Sequence, residues 1–289
     1  MRYRLWVSTV AVFLLTCSIP FTSANSSGIN FLDVTVTVKS DAYTNSVSIN
    51  NNQTIIASSY DNYVELHNSS SLEIIESFYF GREIYHIEFS PDGKYLAISM
   101  EASDASDDSL RLIDVENFTL LPDQERGNNR PGNLDYSPDG SKIIAPNMYN
   151  GAQILDAISM NIIASLNGEH TSDVTCTGFS KTGNHAITGD ESGKVVLWNS
   201  DGTPTNIYAY VEEEVVGCGF SALDAKFAVS TLSGNISSYS ISGSPLKSIT
   251  LGENHGIKWS DGDDILYVLE SDSNPAVIAL DGSTFETIH

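Results

Sequence analysis

The sequence predicts an all-β chain assembled from one repeated unit of four antiparallel strands. Three observations predict it. A large apolar residue, a tight turn and a second apolar stretch recur six times, the recurrences are almost evenly spaced, and no amphipathic helical period appears beyond the first two dozen residues.

The leading apolar residues are Ile49, Phe89, Tyr136, Phe179, Phe220 and Trp259, at intervals of 40, 47, 43, 41 and 39. Blades of four strands repeat every 40–45 residues or so. Pro91-Asp92-Gly93 and Pro138-Asp139-Gly140 are turn sequences: proline presets φ, aspartate caps the backbone and glycine accepts positive φ. The fourth repeat shows the whole unit. Its second strand is 186–188, the turn is 191–193, the third strand is 194–199, and a fourth strand at 207–211 follows Asp201-Gly202. The other third strands close at Leu66-His67-Asn68, Leu112-Ile113-Asp114, Ile154-Leu155-Asp156, Ser238-Tyr239-Ser240 and Ala279-Leu280-Asp281. Such sheets packed radially bury both faces, which is a β-propeller. The expected organisation is a leader at 1–24, a short linker at 25–32 and one propeller domain at 33–289. Residues 34–38 read as an extra outer strand, and 285–289 as the sixth repeat's own fourth strand. Both cannot fill one slot, so the expected ring has six blades with a strand to spare, or seven with one blade missing.

Arg2 and Arg4, an apolar run over 5–21 and the small residues Thr22-Ser23-Ala24 have the form of a cleaved secretory signal. A secreted or otherwise extracytoplasmic protein is expected, with no membrane insertion after cleavage. The full chain carries 14 Lys and Arg against 37 Asp and Glu. A field of that sign repels nucleic acid and anionic lipid and favours cations or basic partners. Cys176 and Cys218 are expected to be buried free thiols, with a disulfide between them as the alternative, because their spacing from Phe179 and Phe220 points them to opposite sides of their strands. Asn25, Asn52, Asn68, Asn117 and Asn235 open Asn-x-Ser/Thr sequons.

Gly168-Glu169-His170, nine residues before Phe179, and Leu197-Trp198-Asn199 carry a resemblance. The chain resembles WD-repeat propellers over roughly 33–289, most closely in the fourth repeat, with Asn199 in place of the usual aspartate. The resemblance implies a hydrogen-bonded network of His170, Thr188, Ser192 and Trp198, lacking its acid, and a protein-binding scaffold rather than an enzyme.

No nucleophile elbow and no zinc-spaced histidine pair is present. Glu101, Asp104, Asp107 and Asp108, and separately Asp261, Asp263 and Asp264, are oxygen-rich clusters of the kind that holds Ca²⁺, but neither has the EF-hand pattern. No resident cofactor is expected, and Ca²⁺ is the one cation these clusters would suit. The loops joining fourth to first strands and second to third strands emerge on one end of a propeller. There Glu101, Asp104, Asp107, Asp108, Asp190, Glu191, Glu212, Glu213 and Glu214 are the candidate binding residues, for a protein partner with a basic segment, and a monomer is expected. The alternative is a propeller enzyme of lactonase-like or quinoprotein dehydrogenase-like type. Its reactive groups would line the axis, where only His86, Glu88 and Asp135 qualify.

Overall fold

The computed structural model describes residues 44–101, 109–122, 132–147, 150–260, 264–270 and 276–288. The leader, the linker, residues 34–38, Asp104, Asp107, Asp108, Asp261, Asp263 and His289 lie outside the described residues. Within them the regular structure is all β, and no helix is long and apolar enough to cross a membrane.

The first sheet holds β1 (Thr44–Ile49), β2 (Ile55–Tyr60), β3 (Tyr63–Asn68) and β4 (Ile74–Tyr79), in that order. The second holds β5 (Ile84–Phe89), β6 (Tyr95–Met100), β7 (Leu110–Asp114) and β8 (Thr119–Leu120). The third holds β9 (Asp135–Tyr136), β10 (Lys142–Asn147), β11 (Gly151–Asp156) and β12 (Ile162–Leu166). The fourth holds β13 (Val174–Phe179), β14 (His185–Asp190), β15 (Lys194–Asn199) and β16 (Pro204–Tyr210). The fifth holds β17 (Val215–Phe220), β18 (Lys226–Thr231), β19 (Asn235–Ser240) and β20 (Pro245–Thr250). The sixth has three strands among the described residues, β21 (Asn254–Trp259), β22 (Ile265–Glu270) and β23 (Ala276–Asp281). The six leading residues read from the sequence are the last residues of β1, β5, β9, β13, β17 and β21.

Of the expected fourth strand at 285–289, the described residues show a short segment paired with β23. Thr287 makes a single isolated bridge to Leu280. The turn before it is capped as in the other blades: Asp281 Oδ1 accepts the Ser283 and Thr284 N–H groups. Phe285, at φ 61°, then drops into the blade's core. The segment still runs antiparallel alongside β23, with Asp281 N–H donating to Glu286 O at 2.9 Å and Ile288 N–H to Ala279 O at 2.8 Å.

Both faces of the blades are apolar because each meets a neighbour. Ala57, Val64 and Leu66 of the first blade pack on Ile84, Ile87 and Ile98 of the second. Ile144 and Ile154 of the third meet Phe179 and Trp198 of the fourth, and Ala228 and Ile236 of the fifth meet Trp259 and Leu266 of the sixth. The first strands are innermost and are stitched sideways by side chains. Ser48 Oγ accepts Phe89 N–H at 3.0 Å, and Thr175 Oγ1 donates to Val215 O at 2.6 Å. The turns between first and second strands repeat one geometry. Gly93, Gly140 and Gly183 have φ of 73, 71 and 72°, and in the fifth blade Asp224 takes that place at φ 53°.

Cys176 on β13 and Cys218 on β17 form a disulfide, with Cα atoms 6.0 Å apart. The expectation of free thiols is thereby overturned. Opposite strand faces do not separate residues of neighbouring blades: one blade's forward face meets the next blade's rear face. Side chains that point to opposite sides of equivalent strands therefore converge.

Candidate functional site

The fourth blade contains a buried polar chain. His170 Nδ1 lies 2.7 Å from Asp190 Oδ2, and His170 Nε2 lies 2.7 Å from Thr188 Oγ1. Trp198 Nε1 donates to the same Thr188 oxygen at 2.8 Å. The network thus has its acid, and the acid is Asp190. Thr188 and Asp190 are two apart on β14, so strand alternation puts both on one face. Ser192 sits outside the chain and donates to Asp190 Oδ1 at 2.7 Å. Burial pushes the Asp190 carboxyl up, but hydrogen bonds from His170, Ser192 and the Lys194 N–H outweigh it and hold the carboxyl below its usual value. Asp190 is fully buried, so its expected place among the partner-binding residues is corrected: it is a structural acid. The first blade has a reduced version, in which His67 occupies the tryptophan position and contacts Ser58 Oγ at 3.0 Å.

Of the other binding-face candidates, Glu101, Glu191, Glu212 and Glu213 are exposed and Glu214 is half-buried. They belong to connections between second and third strands or between blades, which share one end of the propeller. Glu213 accepts a hydrogen bond from Ser233 Oγ. Glu169, half-buried on the same end, pairs with Lys194 at 3.4 Å. Acids of the opposite end serve a different purpose. Asp92, Asp139, Asp156, Asp201 and Asp281 each accept a backbone N–H in their own turn. The Ser137 hydroxyl and the Ser141 N–H and hydroxyl hold Asp139 down at about 2.

The axial groups form one layer. Ser48, Glu88, Asp135, Gly178, Gly219 and Lys258 each immediately precede a leading residue, so they ring the axis at one level. Lys258 Nζ reaches Glu88 Oε1 at 3.3 Å, joining the sixth blade to the second. Asp135 Oδ2 accepts Phe179 N–H at 2.6 Å, the same service that Ser48 gives Phe89. Burial raises the Asp135 carboxyl to about 7, with the nearby Glu88 charge adding and Lys258 opposing. Burial lowers His86 to about 4, the Lys258 charge adding and Asp135 opposing. Sequence reading finds His86, Glu88 and Asp135 but misses Lys258; its position just before Trp259, matching Glu88 before Phe89, was the available signal. Among the described residues no three His, Cys, Asp or Glu side chains converge to hold a metal ion.

Because the Asp135 pKa stands above its ordinary 3.8, its protonated form stabilises the fold at low pH, and that contribution is lost as pH rises from about 4 through 7. His86 acts in the opposite sense, its stabilising neutral form being lost as pH falls from 6.5 towards 4. Asp135→Asn is therefore expected to gain stability relative to the parent protein as pH goes from 5 to 8. Denaturant melts across that range check it; an unchanged difference between the two proteins at all pH values would contradict it.

Six antiparallel sheets around an axis define a β-propeller. Comparison with known proteins refines the class. The family described as WD domain, G-beta repeat matches residues 160–199, which run from the outer strand of the third blade through the third strand of the fourth. An uncharacterized WD repeat-containing protein of Schizosaccharomyces pombe is 32% identical over 91 residues, which is 31% of this chain and only 15% of that protein's length. The crystallised β-propeller domain of Cps50 (Swd1) from Myceliophteria thermophila superposes with a TM-score of 0.68 at 15% identity, over 82% of each chain. The chain is a WD-repeat-like β-propeller, with the family's signature concentrated in its fourth blade.

Proposed function

We propose that this protein is an exported scaffold that binds a basic protein segment on the end carrying Glu101, Glu191, Glu212, Glu213 and Glu214. The observation that carries this reading is the division of labour between the two ends. Turn aspartates on one end are occupied in capping their own backbone. On the other end, Glu101, Glu191 and Glu212 are exposed on the loops, and charge placed there steers an oppositely charged partner. Export is supported by the disulfide, since such bonds persist in oxidising compartments. A non-catalytic role is supported at the axis, where Asp135 is engaged by Phe179 N–H and Glu88 by Lys258.

The test is a titration with an oligolysine peptide, monitored by fluorescence anisotropy at low and high salt. Glu212→Gln, Glu213→Gln and Glu214→Gln together are expected to weaken binding about tenfold at low salt, at roughly 0.5 kcal/mol per exposed ion pair. They should also reduce its salt dependence. Equal neutralisation on the opposite end, at Glu73, Glu116 and Glu286, is expected to leave binding almost unchanged. Equal losses in both triple variants would make the charge generic and contradict the reading.

A further inference from the structure

Four sequons fall within the described residues, and they are not equivalent. Asn52 lies in the β1–β2 turn and Asn68 at the end of β3, so both are on the end of the propeller opposite the exposed glutamates. Both are exposed. Asn52 Oδ1 accepts from the Thr54 hydroxyl at 2.6 Å and the Thr54 N–H at 3.2 Å, so the sequon's own third residue is folded back on its asparagine. Asn68 Oδ1 accepts from the Ser70 N–H at 2.9 Å and the Ser71 N–H at 3.0 Å. In each case the hydrogen bonds are made by Oδ1, and among the described residues Nδ2 is committed to no protein group. Asn117 and Asn235 differ. Asn117 Nδ2 donates to Asp114 Oδ2 at 2.9 Å. Asn235, on the glutamate-bearing end, donates through Nδ2 to Ser233 Oγ at 3.2 Å and accepts from Thr250 Oγ1 at 2.7 Å. The two turns bearing Asn52 and Asn68 also touch, Ser69 N–H donating to Thr54 O at 3.0 Å.

We infer that Asn52 and Asn68 are N-glycosylation sites, and that the glycans cover the turn end of the first blade while leaving the glutamate-bearing end bare. The inference rests on the export reading above. Asn Nδ2 would bond to the anomeric carbon of an oligosaccharide carried on a polyprenyl diphosphate. The diphosphate leaves with the electrons of the broken sugar–phosphate bond, and Nδ2 gives up one proton. Transfer acts on the unfolded chain, so the native structure decides which glycans the fold accommodates. At Asn52 and Asn68 a sugar on Nδ2 points to solvent and keeps every Oδ1 hydrogen bond. At Asn235 it would displace a contact at the edge of β19.

The experiment expresses the full chain in a secretory eukaryotic host in two forms, with its own leader and with the leader replaced by one the host exports efficiently. Protein from the medium is measured by intact mass, before and after enzymatic deglycosylation, and its glycopeptides are mapped. The expected result is one oligosaccharide at Asn52 and one at Asn68. Thr54→Ala is expected to remove the first, and Thr54→Ser to retain it. Exported protein with a glycan missing from either site, or with one at Asn235 in their place, would overturn the inference. Retention of the own-leader form alone, where a mature start at Asn25 is expected in the medium, would overturn the export reading while the second form still decides the sites.

Discussion

Trp198→Ala is expected to lower the unfolding free energy by about 3–5 kcal/mol, the usual cost of truncating a buried aromatic side chain to alanine. Trp198 is 1% exposed and packs against Ile144, Ile154 and Phe179, so its removal opens a cavity between the third and fourth blades. It also strips Thr188 of one of its two aromatic-ring partners, next to a buried histidine–aspartate pair. Trp198→Phe keeps most of the apolar volume but loses the indole N–H that Thr188 accepts, so it is expected to cost about 1–2 kcal/mol. Urea melts followed by tryptophan-independent circular dichroism measure both. A loss under about 1 kcal/mol in the alanine variant would mean that the tryptophan is not a keystone of the blade contact.

Loss of the Cys176–Cys218 bond is the second large effect. The bond closes a loop of 42 residues, and the chain-entropy relation assigns about 4 kcal/mol to a loop of that length. Cys218→Ser with Cys176→Ser is expected to lower stability by an amount of that order. The parent protein treated with reductant should melt with the double variant. Alkylation of the untreated, denatured protein should find neither Cys176 nor Cys218 as a free thiol. Titratable thiols at both Cys176 and Cys218 in protein kept under oxidising conditions would contradict the bond.

The ends of the strands were legible in the sequence because each is fixed by chemistry within a few residues. A large apolar residue followed by a serine- or asparagine-led turn ends the first strand, and Asn68, Asp114, Asp156, Asn199, Ser240 and Asp281 end the third strands because residues of these types cap the turn that follows. What was not legible depended on residues from different blades meeting. The cysteines were assigned to opposite faces correctly, but the sequence does not say that those faces are apposed. Ser192 was placed in the hydrogen-bonded network by a fixed offset from Trp198, whereas the acid is selected by strand alternation from Thr188, which leads to Asp190. Lys258 was missed for a related reason. Its partner Glu88 is 170 residues away, and only the arrangement of the blades around the axis brings them together. The candidate binding face was legible as a property of the topology, since second-to-third connections and blade-to-blade connections share an end. The burial of Asp190 on that end was not.

The proposed docking surface for a basic segment is the glutamate-bearing end. Hydrogen exchange of the protein with and without bound oligolysine, resolved by peptide, tests it most directly. The expected result is protection confined to the segments around 80–83, 191–193 and 211–214, strongest at low salt. Protection located instead in the opposite turns, around 90–94, 137–141 and 180–184, would contradict the claim.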